Sequence, residues 1–308
     1  MDFVFHEGVN GSSPWVDFYP HYNPSFTAGY AFTAIFGLAT LVHIVLTIPY
    51  KAAYFIPFIL GGICSTFGYQ GRARSHDATT SIGPWAQQQI LLLVAPPLLS
   101  ASIYMSLSRI MTALDAEHLS PIRPKRLTAL FVTNDILCFL TQLVGAGVQV
   151  TGDQKLMDIG LKIVLAGLVV MMVVFSGFVA AAGGFHVRLR REMRGVVSGD
   201  GVEVGGGIGV GRAGVEIRGW ERYMWVLYGV CGCVMVRSLV RTVEFGSGKG
   251  AEVKTNEAYI YVFDAALMGI VMVVWCFWHP GRLVMRARRF REGRTGRAGS
   301  GVELLESK

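Results

Sequence analysis

Charged side chains are scarce in this chain of 308 residues. Asp, Glu, Lys and Arg together make up 16%, against about 25% in ordinary globular domains. A soluble protein of this length needs a charged surface over one or two large cores. The scarcity argues against a water-soluble enzyme, and the 52% apolar content argues against a disordered chain. Cysteine is sparse as well, five in all. Cys64, Cys138, Cys231, Cys233 and Cys276 fall in apolar stretches, where they read as packing residues rather than disulfide partners. Cys231-Gly232-Cys233 lacks the two-residue spacing of a zinc or redox pair. H-E-x-x-H and histidine pairs at i,i+4 are missing, so no metal site, catalytic residue or cofactor is expected. The opening MDFVFHEG has neither a basic n-region nor a short apolar h-region, and no cleaved signal is expected.

What the chain does have is long apolar blocks. Seven of them, near 25–48, 52–70, 86–110, 127–150, 159–185, 223–243 and 257–278, are each long enough to cross a hydrocarbon core of about 30 Å as a helix. They lack the alternating pattern of a membrane barrel. The expected fold is an all-α membrane protein, one seven-helix bundle over 25–279. A segment 1–24 precedes it and a basic tail, 280–308, follows. With the N-terminus outside, inner segments carry 19 basic residues and outer segments 5, counting Arg72 and Arg74 among the outer ones. That asymmetry predicts N-outside and a cytoplasmic C-terminus. The net charge of +7 is then a topological signal. No basic stripe with interleaved aromatics points to nucleic acid. Asn10-Gly11-Ser12 is a glycosylation sequon on the outer side.

Several motifs have plain readings. The stretch 195–219 holds ten glycines and includes Gly209-Val210-Gly211-Arg212-Ala213-Gly214, formally G-x-G-x-x-G. Between two membrane spans it has no βαβ unit around it, and it reads as a cytoplasmic linker. Pro57 and Pro96-Pro97 are expected to kink the second and third helices. Gly61, Gly62, Gly145 and Gly147 are expected to let helices approach closely. The basic tail after Pro280 is expected to lie on the inner leaflet or to be a solvated flank.

Ionisable groups inside lipid-crossing segments are the functional candidates, because they are costly unless paired or wetted. Arg237, Arg241 and Glu244 are spaced by four and three, on one face of the sixth helix. Glu257 and Asp264, seven apart, are expected to share a face of the seventh, and Asp135 and Gln142 a face of the fourth. These seven are the candidate ligand-binding residues. They suit either an ion-pair clasp between helices six and seven or a polar cavity for the headgroup of an amphipath.

At these residues the sequence resembles the fungal RTA-like family of seven-span stress-resistance proteins, also called lipid-translocating exporters. The blocks that carry the resemblance are LLLVAPPLLSASIYMSLSRI, FVTNDILCFLTQLVGAG, VRSLVRTVEF and YVFDAALM, in that order. Arg72, Asp135, Arg237, Arg241, Glu244, Glu257 and Asp264 match the family pattern. Two positions depart from it. Ser65 stands where the family usually has Glu, and Met171 where it usually has Gln. The resemblance implies a multi-pass protein of the fungal plasma membrane or vacuole, linked to resistance to toxic amphipaths. Sphingoid long-chain bases and sterol-like toxicants are the implied cargo. No nucleotide-binding cassette is visible, so movement would be facilitated or ion-coupled.

The leading expectation is outward translocation of an amphipath, its ammonium meeting Glu244, Glu257 or Asp264. The alternative is a seven-helix sensor of lipid or pH stress. Against a G-protein-coupled receptor, helix three carries Ser108-Arg109-Ile110 and helix seven lacks Asn-Pro-x-x-Tyr. An intramembrane hydrolase is a third possibility without evident metal ligands. Membrane lipids or amphipathic small molecules are the expected partners, with oligomeric state left open.

Overall fold

The computed structural model describes residues 4–6, 15–19, 22–149, 154–197, 219–246, 256–290 and 292. The sequon at Asn10, glycine-rich residues 198–218, Gly248, Gly250 and 293–308 lie outside the described residues. Among the described residues, seven long helices follow one another in chain order. They are α1 (Phe26–Tyr50), α2 (Ile56–Arg74), α3 (Ile82–Ala113), α4 (Pro124–Gln149), α5 (Gln154–Val197), α6 (Trp220–Gly246) and α7. The last is composite: Ala258–Ile260, a π-helical turn at Tyr261–Ala266, then Leu267–Phe277. A further helix, α8, covers 280–290. Ahead of the bundle, β1 (Val4–His6) and β2 (Trp15–Asp17) pair antiparallel, Val4 opposite Asp17. Consecutive helices are neighbours, and α7 returns to pack on α1.

Among the described residues, six helical segments are long and apolar enough to cross a membrane: α1, α3, most of α4 and α5, α6, and α7 continued into α8. The chain is therefore a multi-pass helical membrane protein. Large apolar side chains such as Leu38, Leu41, Val45 and Ile48 on α1, Leu137 and Val144 on α4, and Val173 on α5 remain exposed. A protein folded in water would hide such a surface; lipid solvates it.

The expected span at 52–70 appears as α2 but is not among those six. Its composition follows from its position. Gly61, Gly62, Ser65, Gly68, Tyr69, Gly71 and Arg72 are buried between neighbouring helices, where small residues serve better than lipid-facing ones. A Cβ on Gly68 would come within 2.6 Å of the Leu92 side chain, and one on Gly145 within 2.7 Å of Val164. Gly147 differs from its expected role, since a Cβ there meets nothing within 4 Å.

The prolines also differ from expectation in one case. Pro57 sits in the first turn of α2, where its missing N–H would have no helical partner anyway, so it starts that helix. Pro96 and Pro97 lie inside α3. Residues 280–290, expected as the start of a basic tail on the inner leaflet or of a solvated flank, form α8, with Leu283 and Ala287 buried. Arg282 Nε donates to the Tyr50 hydroxyl at 3.1 Å and ties α8 to the end of α1.

Candidate functional site

The ends of α2, α4 and α6 meet the starts of α1, α3, α5 and α7, and the polar network lies at this end. The α6 spacing of four and three puts Arg237, Arg241 and Glu244 on the face toward α7. There Asp264 accepts from Arg237 Nε and from Arg241 Nη2, the latter at 2.9 Å. Arg241 Nη1 donates to Glu244 at 3.2 Å. Two guanidinium groups thus face two carboxylates, and the cluster is charge-balanced where isolated charge would be costly.

Glu257 does not join this cluster. It lies just before α7, and the π-turn adds a residue per turn ahead of Asp264, so the seven-residue spacing does not keep the two on one face. Glu257 instead accepts from Arg72 Nη2 at 2.8 Å and from the backbone N–H of Ser25, at the start of α1, at 2.9 Å. Arg72, counted above as a loop residue, belongs to the last turn of α2 and is 1% exposed. Its Nε donates to the Tyr261 hydroxyl at 3.1 Å and its Nη2 to Tyr22 at 3.2 Å, and its guanidinium lies against both rings. Cation–π contact and ion pairing both hold it. Sequence reasoning missed this node by ending α2 at residue 70. The small and polar run Gly68–Ala73, continuing the pattern of the buried face, was the signal that the helix goes on.

Tyr69 links the two nodes. Its hydroxyl is 3.5 Å from Asp264 Oδ2, and its ring stacks on Phe36 at 5.3 Å. Tyr261 stacks on Phe32 at 5.5 Å. These aromatic rings of α1, α2 and α7 pack beside the ion pairs.

Asp135 stands apart. It is 2% exposed and accepts from the Tyr104 hydroxyl at 2.9 Å. Phe131, Phe175 and Phe178 pack round Tyr104. No cationic group pairs with Asp135 among the described residues. Gln142, two turns further along α4, is in different surroundings: it lines a cavity.

That cavity, about 220 Å³, lies between α3, α4, α5 and α6. Its wall is largely apolar, with Ile90, Leu93, Pro96, Pro97, Leu143, Val164, Leu168, Met171 and Phe245, and Gly147 lies at its edge. Trp85, Gln89, Gln142, Ser238, Arg237 and Arg241 supply the polar groups. The unused space beside Gly147 is this cavity. Among the described residues no carboxylate lines it. Glu244, Glu257 and Asp264, the expected acceptors of an ammonium, each already hold an arginine.

The segment before α1 covers this end. Phe18 stacks on Trp85 at 4.7 Å, and the Tyr19 hydroxyl donates to Gln88 Oε1 at 2.8 Å. Burial pushes the Tyr19 phenol above its ordinary value.

Fold and site together define a multi-pass helical membrane protein with an apolar cavity ended by a balanced arginine–carboxylate cluster. The family model described as RTA1 like protein matches residues 58–287, and the chain belongs to that family. It is 30% identical over 221 residues to protoporphyrin uptake protein 1 of Saccharomyces cerevisiae, covering 72% of this chain and 67% of that protein. It is 28% identical over 269 residues to the probable lipid transporter atnI of Emericella nidulans, covering 86% and 68%. To the sphingoid long-chain base transporter RSB1 of Saccharomyces cerevisiae (strain Lalvin EC1118 / Prise de mousse) it is 23% identical over 267 residues, covering 80% and 69%. No solved structure matches the chain.

Ser65 and Met171, the two positions expected to depart from the family pattern, are buried. Met171 lines the cavity and makes its wall more apolar. Ser65 donates to the Gly61 carbonyl at 3.0 Å on the face of α2 that also carries Tyr69 and Arg72.

Proposed function

We propose that this protein is a membrane transporter of the lipid-translocating exporter type, which moves amphipathic molecules or confers resistance to them. Sphingoid long-chain bases and sterol-like toxicants are the substrate classes, and the plasma membrane is the site of action. The observation that carries this reading is the cavity: an apolar wall in the membrane ending on Arg237, Arg241 and Gln142. A headgroup meets the polar end while its chain lies along Pro96, Pro97, Leu168 and Met171. At about 220 Å³ the cavity is smaller than the roughly 300–1,000 Å³ of sites that enclose a drug-sized ligand. The rest of the chain therefore stays among the helices or in lipid. Names of relatives as lipid and long-chain base transporters support the same reading.

Seven spans with the N-terminus outside and the C-terminus cytoplasmic complete the proposal. At 19 residues α2 is about 28 Å long, enough to cross beside its six longer neighbours. Lys51, Arg123, Lys125, Arg126, Arg188 and Arg190 belong to the end opposite the cavity, which suits the cytoplasmic side. The cavity and its ion pairs then lie in the outer half. In this arrangement segment 1–24 is extracellular, 25–279 is the transmembrane domain with a cytoplasmic glycine-rich loop at 195–219, and the end of the chain is cytoplasmic.

Reconstituted vesicles and a labelled long-chain base test the function. Leaflet-resolved transfer should exceed that of protein-free vesicles, and equal rates would contradict it. Attachment of glycan at Asn10 would support the orientation, and protease sensitivity of 195–219 from the outside of intact cells would overturn it.

A further inference from the structure

We propose that the cavity prefers an amphipath whose headgroup is an oxyanion, a carboxylate or a phosphate, and that Arg237 is the selecting residue. This refinement rests on the reading of the cavity as the ligand site. Arg237 is 7% exposed and lines the cavity. It spends only Nε on Asp264, and its Nη1 and Nη2 donate to nothing among the described residues. A guanidinium has five N–H donors in a flat fork, so four remain on the two terminal nitrogens. Two parallel bonds from such a fork match the spacing of carboxylate or phosphate oxygens.

The surroundings favour the same headgroup. Gln89 and Gln142 line the same space and can turn their amide N–H groups toward an acceptor. Asp264 and Glu244 are not among the lining residues. An entering headgroup therefore meets the positive side of the cluster before the negative side. Among the described residues an ammonium finds no carboxylate on the wall, where the charged groups are the guanidiniums of Arg237 and Arg241. A long-chain base would engage Arg237 through its hydroxyl oxygens. An oxyanion of the same chain length would engage it with two charge-assisted bonds. Val164, Leu168 and Met171 leave the wall apolar on the α5 side, so the polar contacts come from α3, α4 and α6.

The test is equilibrium binding to the full chain in nanodiscs, using four single-chain probes of equal length. Their headgroups are carboxylate, phosphate, primary amine and neutral glycol. The carboxylate and phosphate probes should bind at least tenfold more tightly than the amine. Q142E places a carboxylate on the cavity wall without touching the ion pairs, and it should narrow that ratio several-fold. R237K keeps a cation for Asp264 but loses the fork, and it should weaken the oxyanion probes several-fold more than the glycol probe. An amine bound as tightly as the oxyanions, a ratio unchanged in Q142E, or no binding by any probe would each overturn the proposal. Flux measured in parallel separates it from the transport reading. Selective binding without flux would overturn transport and leave the selectivity standing, whereas flux without headgroup preference would do the reverse.

Discussion

Asp264 and Asp135 are both buried in the bundle, at 6% and 2% exposure, yet they are held in different ways. Asp264 is shared between Arg237 and Arg241, whose second partner is Glu244. Asp135 has the Tyr104 hydroxyl, in a cluster of phenylalanines. The first arrangement spreads opposite charges over two helices and borders a cavity. The second is a local bond between α3 and α4, away from the cavity wall. Burial alone therefore does not single out the candidate site. What distinguishes the Asp264 region is that compensated charge adjoins empty, apolar space.

Substitution separates the two aspartates. Asp264→Asn leaves Arg237 with a neutral amide and Arg241 with Glu244 alone, and uncompensated buried charge costs about 3–5 kcal/mol. Thermal unfolding in detergent should register that as the largest loss of the series. Tyr104→Phe removes the hydroxyl donor to Asp135, for which the expected loss is about 1–3 kcal/mol. Asp135→Asn keeps an acceptor for Tyr104 and strands no cation, so it should cost less than about 1 kcal/mol. In the double variant the Tyr104→Phe penalty should shrink, a coupling of about 0.5–3 kcal/mol that the same unfolding assay reads. If Asp135→Asn proves as damaging as Asp264→Asn, the contrast between the two sites is wrong.

Much of this was legible in the sequence. Apolar block length gave the long helices to within a few residues at most ends. The four-and-three spacing on α6 placed Arg237, Arg241 and Glu244 together, and Asp264 joined them as a charge-balanced network requires. Glu257 went astray because helical spacing assumes an unbroken α-helix, and the π-turn at Tyr261–Ala266 breaks that assumption. Arg72 was hidden because charge ordinarily marks the end of a span, whereas here it is the buried partner of a residue 185 positions away. A polar cavity was one of two readings of these charges, but its place and its apolar wall were not legible. It arises where Pro96 and Pro97, Gly147, Leu168 and Arg237, on four different helices, fail to fill the space between them.

Gly147→Trp tests that cavity most directly. Gly147 borders it, and a Cβ there meets nothing within 4 Å, so a large side chain can enter without disturbing an ion pair. Transfer of labelled amphipath by reconstituted protein should fall at least tenfold, while the unfolding temperature stays near that of the parent chain. Transfer at the parent rate, with the tryptophan in place and the protein folded, would contradict the assignment of this cavity as the route.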